Sequence, residues 1–269
     1  MYEAHHIFVQ PESEDIRVWR YMDFTKFVSF MESRCLYFTR ADKFDDPFEG
    51  SLPIMTVEAR NTVKSRVLRH PNFPKEYIDA YRNQIDSTGK INLYWRKFYA
   101  INCWHMSEHE SAAMWKLYSK SNEGIAVQSI YRKLRESIID DAQVYLGEVK
   151  YIDYEKDPIS PYYDPTSVND FIYDPFSPFI HKRKSFEYER EVRALIVRYP
   201  TIPEEKIGCY KDTIVDGVEV NVNVKHLVEK IYISPSAPDW FCKLCDSVAQ
   251  KYGFEFKIVR SKLDDKAVF

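Results

Sequence analysis

Glycine is scarce in this chain. Only seven occur among 269 residues: Gly50, Gly89, Gly124, Gly147, Gly208, Gly217 and Gly253. No two are close enough for a dinucleotide-binding fingerprint or a Walker-type phosphate loop, both of which need clustered glycines. The glycine-flanked nucleophile elbow and the protein-kinase glycine loop fall to the same shortage. Long apolar runs are missing too, and none reaches the roughly 18 residues a membrane helix needs. The start, Met-Tyr-Glu-Ala-His-His, lacks the basic and apolar regions of a signal peptide, so neither membrane nor export is expected. The five cysteines are odd in number and scattered, which reads as reduced thiols of a cytosolic protein. With 38 basic and 41 acidic residues the net charge is −3, which excludes a generally basic nucleic-acid coat but not a local patch.

What is present is apolar and aromatic. Hydrophobic residues make up 45% and aromatics 16%, enough for a sizeable core and too many for disorder. Helical spacing predicts a helix over 23–33, capped by Asp23 or Thr25, followed by a strand at 35–39. Pro47 makes 43–50 a turn-rich loop, and helices are expected at 56–69 and 74–86. A core strand is expected at 98–104. Ser107 and Glu110 have capping-box spacing for a helix over 112–119. A strand at 124–129, a helix at 130–138 and a strand at 143–151 come next. Residues 152–180 hold the longest irregular segment, a candidate lid or binding loop. A strand at 192–197 precedes Asp216-Gly217, which between two alternating runs signals a hairpin. Strand 230–233, helix 237–251 and strand 254–260 close the chain. Strands and helices mix without regular alternation. The expectation is one α+β domain over 1–269, with a central, mostly antiparallel sheet and flanking helices.

Several clusters carry candidate chemistry. Cys103, His105 and His109 are near enough for a zinc site but one ligand short, and Cys242 and Cys245 lack a partner pair. Core packing explains both, and no metal is expected. The densest polar stretch runs from Lys182 to Arg193. Glu187, Glu189 and Glu191 would share one face if the stretch is extended, with Arg183, Arg190 and Arg193 relieving their repulsion. Carboxylates at the mouth of a strand suit proton abstraction or stabilisation of a cationic transition state. Arg20, between Trp19 and Tyr21, can hold a phosphate while a ring stacks on a base. Phe44-Asp-Asp-Pro-Phe-Glu49 sets three carboxylates around a rigid bend.

Taken in order, these pieces resemble a bacterial family catalogued as domain of unknown function 2971. The resemblance rests on Trp19-Arg-Tyr21, Arg34-Cys-Leu-Tyr-Phe38, Phe44-Asp-Asp-Pro-Phe-Glu49, Cys103-Trp-His-Met-Ser107, the Met114-Trp-x-x-Tyr118 pattern, Glu123-Gly-Ile-Ala-Val127, Tyr188-Glu-Arg-Glu-Val-Arg193 and Arg260-Ser-Lys-Leu263. It covers nearly the whole chain, with Asp45 where the family usually has Asn and Glu49 where it often has Asp. It implies an association with phage-defence and mobile-element genes, hence a toxin or effector. The order of Arg20, Tyr37 and Glu191 also resembles that of nucleic-acid-modifying ADP-ribosyltransferases, which use NAD without a glycine-rich loop. That likeness implies a phosphate on Arg20, nicotinamide stacked on Tyr21 or Tyr37, a transition state stabilised by Glu191 and an acceptor oriented by Glu189. Asp45, Asp46, Trp115, Tyr118, Lys184 and Arg193 would contact the substrate, with nucleic acid or protein as acceptor.

Two alternatives stand beside it. A nuclease would hold Mg²⁺ on Asp45, Asp46 and Glu191, with Arg193 and Lys184 on phosphate. A non-catalytic module would grip its ligand or partner through the aromatic segment 157–178, and would show Arg20 locked to Asp45 or Asp46.

Overall fold

A computed structural model of the chain describes residues 1–69, 78–79, 93–118, 122–159, 174–200, 212–265 and 267. The expected helix at 74–86 and the centre of the 152–180 segment lie almost entirely outside the described residues. Strand β1 (Arg17–Asp23) leads into helix α1 (Phe24–Ser33) and strand β2 (Cys35–Arg40). Asp23, not Thr25, is the cap: its carboxylate accepts from the Lys26 backbone N–H at 2.8 Å. Phe27, Phe30 and Met31 are buried at helical spacing. Burial of such side chains stabilises by about 1.5–3 kcal/mol each. Helix α2 (Ile54–Arg69) and strand β3 (Tyr99–Met106) follow.

Helix α3 (Ala112–Tyr118) is not capped by the Ser107–Glu110 box. Ser107 Oγ accepts from His109 N–H instead, and Ser111 Oγ accepts from Met114 N–H at 3.4 Å. Strand β4 (Gly124–Ile130), helix α4 (Tyr131–Glu136) and strands β5 (Tyr145–Glu148) and β6 (Lys150–Ile152) continue the chain. A short helix α5 (Ser177–Ile180) opens directly into strand β7 (His181–Arg183), and a 3-10 turn (Lys184–Glu189) precedes strand β8 (Glu191–Val197). Strand β9 (Gly217–Asn221), helix α6 (Val224–Leu227), strand β10 (Lys230–Ile233), helix α7 (Asp239–Lys251) and strand β11 (Ile258–Arg260) complete the order.

The fold is α+β. Among the described residues nine strands form one sheet, ordered β11-β10-β4-β1-β3-β2-β9, with β8 on β3 and β5 on β8. Every pairing in it is antiparallel except β10 with β11. Strands β6 and β7 form a separate parallel pair. The expected hairpin at Asp216-Gly217 is absent. β9 pairs with β2, and residues 213–216 form bends, with the Asp216 carbonyl accepting from Arg40 N–H. Gly217 is required there for another reason. A Cβ at that position would run into the Phe38 carbonyl and the Tyr37 ring. The main core lies under one face of the sheet, where Val18, Leu36, Phe38, Trp104, Val192 and Ile231 meet helices α1 and α7.

One feature of the sheet positions the site. Along a single edge, β3 pairs first with β2 (Ala100 and Ile101) and then with β1 (His105 and Met106). Between those stretches, Asn102, Cys103 and Trp104 have neither neighbour on that edge. The sheet is split there.

Candidate functional site

A cavity of about 610 Å³ opens at the split. Ligand sites usually fall between about 300 and 1,000 Å³. Arg20 comes from β1, Tyr37 from β2, Tyr118 from α3, Lys182 from β7, and Glu189 and Glu191 from the approach to β8. Arg20 and Glu191 therefore share one cavity.

Arg20 shares its strand parity with the core residues Val18 and Met22, and the split lets it reach across instead. Its Nη1 donates to the Cys103 carbonyl at 3.3 Å and its Nη2 to the Tyr37 carbonyl at 3.4 Å. Asn102 Nδ2 donates to the same Tyr37 oxygen at 2.8 Å. No carboxylate pairs with Arg20 among the described residues. Burial pushes its pKa down to about 10, so it stays charged at neutral pH. A half-buried guanidinium without an anion is a ready partner for one.

The two carboxylates opposite are fixed by backbone geometry. Arg190 sits in the left-handed region at φ 39°, between the 3-10 turn and β8. Non-glycine residues rarely hold this conformation unless their surroundings impose it. The bend leaves Glu189 and Glu191 both buried and both on the cavity wall, while Glu187 is exposed on the turn and does not join them. The alignment of three glutamates on a strand face is thus corrected to two, joined around a kink. Lys182 Nζ bridges them, in contact with Glu189 and 3.2 Å from Glu191.

Arg193 holds Glu191 from behind. Its Nε donates to Glu191 at 2.7 Å, and its two terminal nitrogens donate to Glu49 at 2.6 and 2.8 Å. It is fully enclosed and does not line the cavity, so its expected substrate contact is replaced by a supporting one. Burial pushes the Glu191 carboxyl up, but Arg193 and Lys182 outweigh that and hold it down at about 2. For Glu189 burial wins, and its pKa is raised. Two adjacent carboxyls with pKa values driven apart are a common basis for distinct roles. Cys103 also lines the wall, its thiol raised well above the ordinary value by burial. His105 Nδ1 lies 2.6 Å from the Glu189 carbonyl oxygen, which fixes Nδ1–H as donor.

The other expected site residues divide. Asp45, exposed, and Asp46, half-buried, are on the wall. Asp46 pairs with Arg183 at 2.9 Å rather than with Arg20, and Arg183 stacks 4.2 Å from the Phe48 ring centre. Tyr21 and Tyr37 line the cavity. Tyr37 is 44% exposed, whereas Tyr21 is buried, its hydroxyl accepting from Ser111 N–H at 2.8 Å and its ring against Trp115. Tyr37 is thus the ring free to stack. Tyr118 is on the wall, but Trp115 sits behind Tyr21 and donates to Glu110 at 3.0 Å. Lys184 is exposed and off the wall; Lys182 takes the place assigned to it.

Asp45, Asp46 and Glu191 do not gather as a metal-binding group among the described residues, nor do Cys103, His105 and His109. Cys245 is core, with Cys242 packed beside it. Glu49, Lys182 and Phe186 escaped the sequence reading as site residues. Glu49 and Lys182 lay inside polar segments already noted, but pairing across the chain cannot be read from spacing. No helix among the described residues is long and apolar enough to cross a membrane. Searches against protein-family models, curated proteins and solved structures find no match, so the site rests on its own chemistry.

Proposed function

We propose that the cavity binds NAD and that the chain is an ADP-ribosyltransferase-like enzyme of the domain-of-unknown-function 2971 family. The observation that carries the reading is the pairing in one cavity of a cation without a carboxylate partner among the described residues, Arg20, and a carboxylate held ionised, Glu191. Arg20 takes the diphosphate, and the exposed Tyr37 ring takes a base. The glycosidic bond to nicotinamide breaks with its electron pair leaving on nicotinamide. Glu191 stabilises the cationic sugar that results. Glu189, with its raised proton affinity, takes the proton from the acceptor as the acceptor bonds to the sugar carbon. A nucleic acid or protein supplies the acceptor, in a reducing compartment that suits the free thiols of Cys35, Cys103, Cys242 and Cys245. The effector role implied by the family resemblance is consistent with this chemistry. The nuclease reading loses its metal set, and the non-catalytic reading loses its Arg20–Asp lock.

The test is mass spectrometry of purified protein with millimolar NAD and DNA, RNA or lysate as acceptor. Nicotinamide release is expected, falling by about 100- to 1000-fold in Glu191→Gln. No binding and no release, or full activity in Glu191→Gln, overturns the assignment.

A further inference from the structure

Away from the cavity, the N-terminal arm meets Asp174. We propose that His5, His6 and Asp174 form a binding site for one divalent transition-metal ion of the zinc class. None of the three lines the cavity, so the site is separate from the NAD reading.

Three donor atoms converge there, all within 4.8 Å of one another. His5 Nε2 lies 3.6 Å and His6 Nε2 3.8 Å from the same Asp174 oxygen. Both separations are too long for hydrogen bonds. They are near what a shared ion requires. With metal–donor bonds of about 2.0–2.2 Å, donors at tetrahedral angles sit roughly 3.3–3.6 Å apart. The third separation, between the two histidines, is within 4.8 Å, so closing the site takes a movement of up to about an ångström, which the exposed His6 can make.

The ligands are already oriented. The His5 ring is held edge-on by Phe8, Tyr145 and Phe176, with ring centres 5.0–6.0 Å away. The second Asp174 oxygen accepts from Phe176 N–H at 2.9 Å, which aims the first at the histidines. His5 Nδ1 is buried with no partner among the described residues, so Nε2 is the only ring nitrogen it can use. At 3.6 Å from the Asp174 oxygen, that nitrogen makes no hydrogen bond to it. A cation between the three satisfies the lone pairs and the carboxylate together. Two imidazoles and one carboxylate favour Zn²⁺, Ni²⁺ or Co²⁺ over Mg²⁺ or Ca²⁺. Three protein ligands leave a position for water. The ion would clip the arm, which pairs with Val144, to the residue opening the approach to α5 and β7.

The test is calorimetry of the untagged, chelator-stripped full chain with Zn²⁺, and visible absorption of the Co²⁺ form. The expected result is one ion per chain, Co²⁺ bands of a low-coordinate site and no competition from Mg²⁺. His6→Gln, which changes an exposed side chain, and Asp174→Asn should each weaken binding by about 10-fold or more. Binding below one ion per chain, or unchanged affinity in both variants, overturns the proposal. These readouts need no NAD turnover, so they stand or fall apart from the enzymatic assignment.

Discussion

Arg193 and Glu49 face each other through two parallel hydrogen bonds, 2.6 and 2.8 Å long, with both side chains buried. Glu191 still holds the Arg193 Nε when Glu49 is removed, but the two terminal nitrogens lose their carboxylate, which costs about 1–3 kcal/mol. Glu49→Ala is expected to be destabilised by that amount in urea unfolding. Glu49→Gln, which keeps an acceptor for Arg193, should lose less. Equal losses in the two variants would show that charge, not packing, is what Glu49 supplies.

Arg20 has the opposite balance. It is desolvated without an ion pair among the described residues, so its contribution to folding is expected to be small and, on the proposed reading, its use lies in binding. Arg20→Met should change unfolding free energy by no more than about 1 kcal/mol, since only two neutral acceptors lose a donor. It should weaken NAD binding by about 10-fold or more, as expected for a lost charge-assisted contact. Loss of stability without loss of affinity would recast Arg20 as a structural brace.

His181 gives the fold an acid limit. It is buried, its Nδ1 lies 2.6 Å from the Ser177 carbonyl oxygen, and burial brings its pKa from 6.5 down to about 4. The folded state therefore binds fewer protons than the unfolded chain between those values. Stability is fully present above pH 6.5 and falls as pH drops toward 4, by at most about 3 kcal/mol from this residue. His105 is lowered by burial too and acts in the same direction. His181→Asn should flatten the slope of stability against pH in that window. An unchanged slope would mean that other groups carry it.

Gly217 predicts a local effect on Tyr37, the ring proposed to stack on the ligand. In Gly217→Ala the new methyl group meets the Phe38 carbonyl and the Tyr37 ring. A cost of about 1–3 kcal/mol is expected from the overpacking, with Tyr37 displaced at the mouth. Ligand affinity should fall with it, and Tyr37→Ala should show the same fall without the loss of stability. If Gly217→Ala binds normally, Tyr37 is not the stacking ring.

Much of the fold was legible because it is written locally. Helix α1, its Asp23 cap and strands β3, β4 and β10 follow from spacing and capping chemistry within a few residues. The failures are places where a distant partner decides. Asp216-Gly217 has the composition of a hairpin turn, but β2 takes β9 and leaves 213–216 without a strand. Ser107 and Glu110 have the right interval, yet Ser111 stands nearer the helix start and Glu110 is engaged by Trp115. The site divides in the same way. Arg20, Tyr37, Glu189 and Glu191 carried a local signal of residue type. Lys182 and Glu49 act through partners that only the folded chain supplies, and Arg193 was misassigned because its burial is a tertiary fact.

The division along β3 also gives the sheet a seam. β1 and β2 each grip β3 by two residue pairs, and at the gap Arg20 and Asn102 fasten the Tyr37 carbonyl like stitches. An anion that draws Arg20 toward itself loosens one stitch while Asn102 keeps the other. On the proposed reading, the sheet's own continuity is thereby put in competition with an anionic ligand. Amide exchange at Asn102, Cys103 and Trp104 becomes a gauge of occupancy.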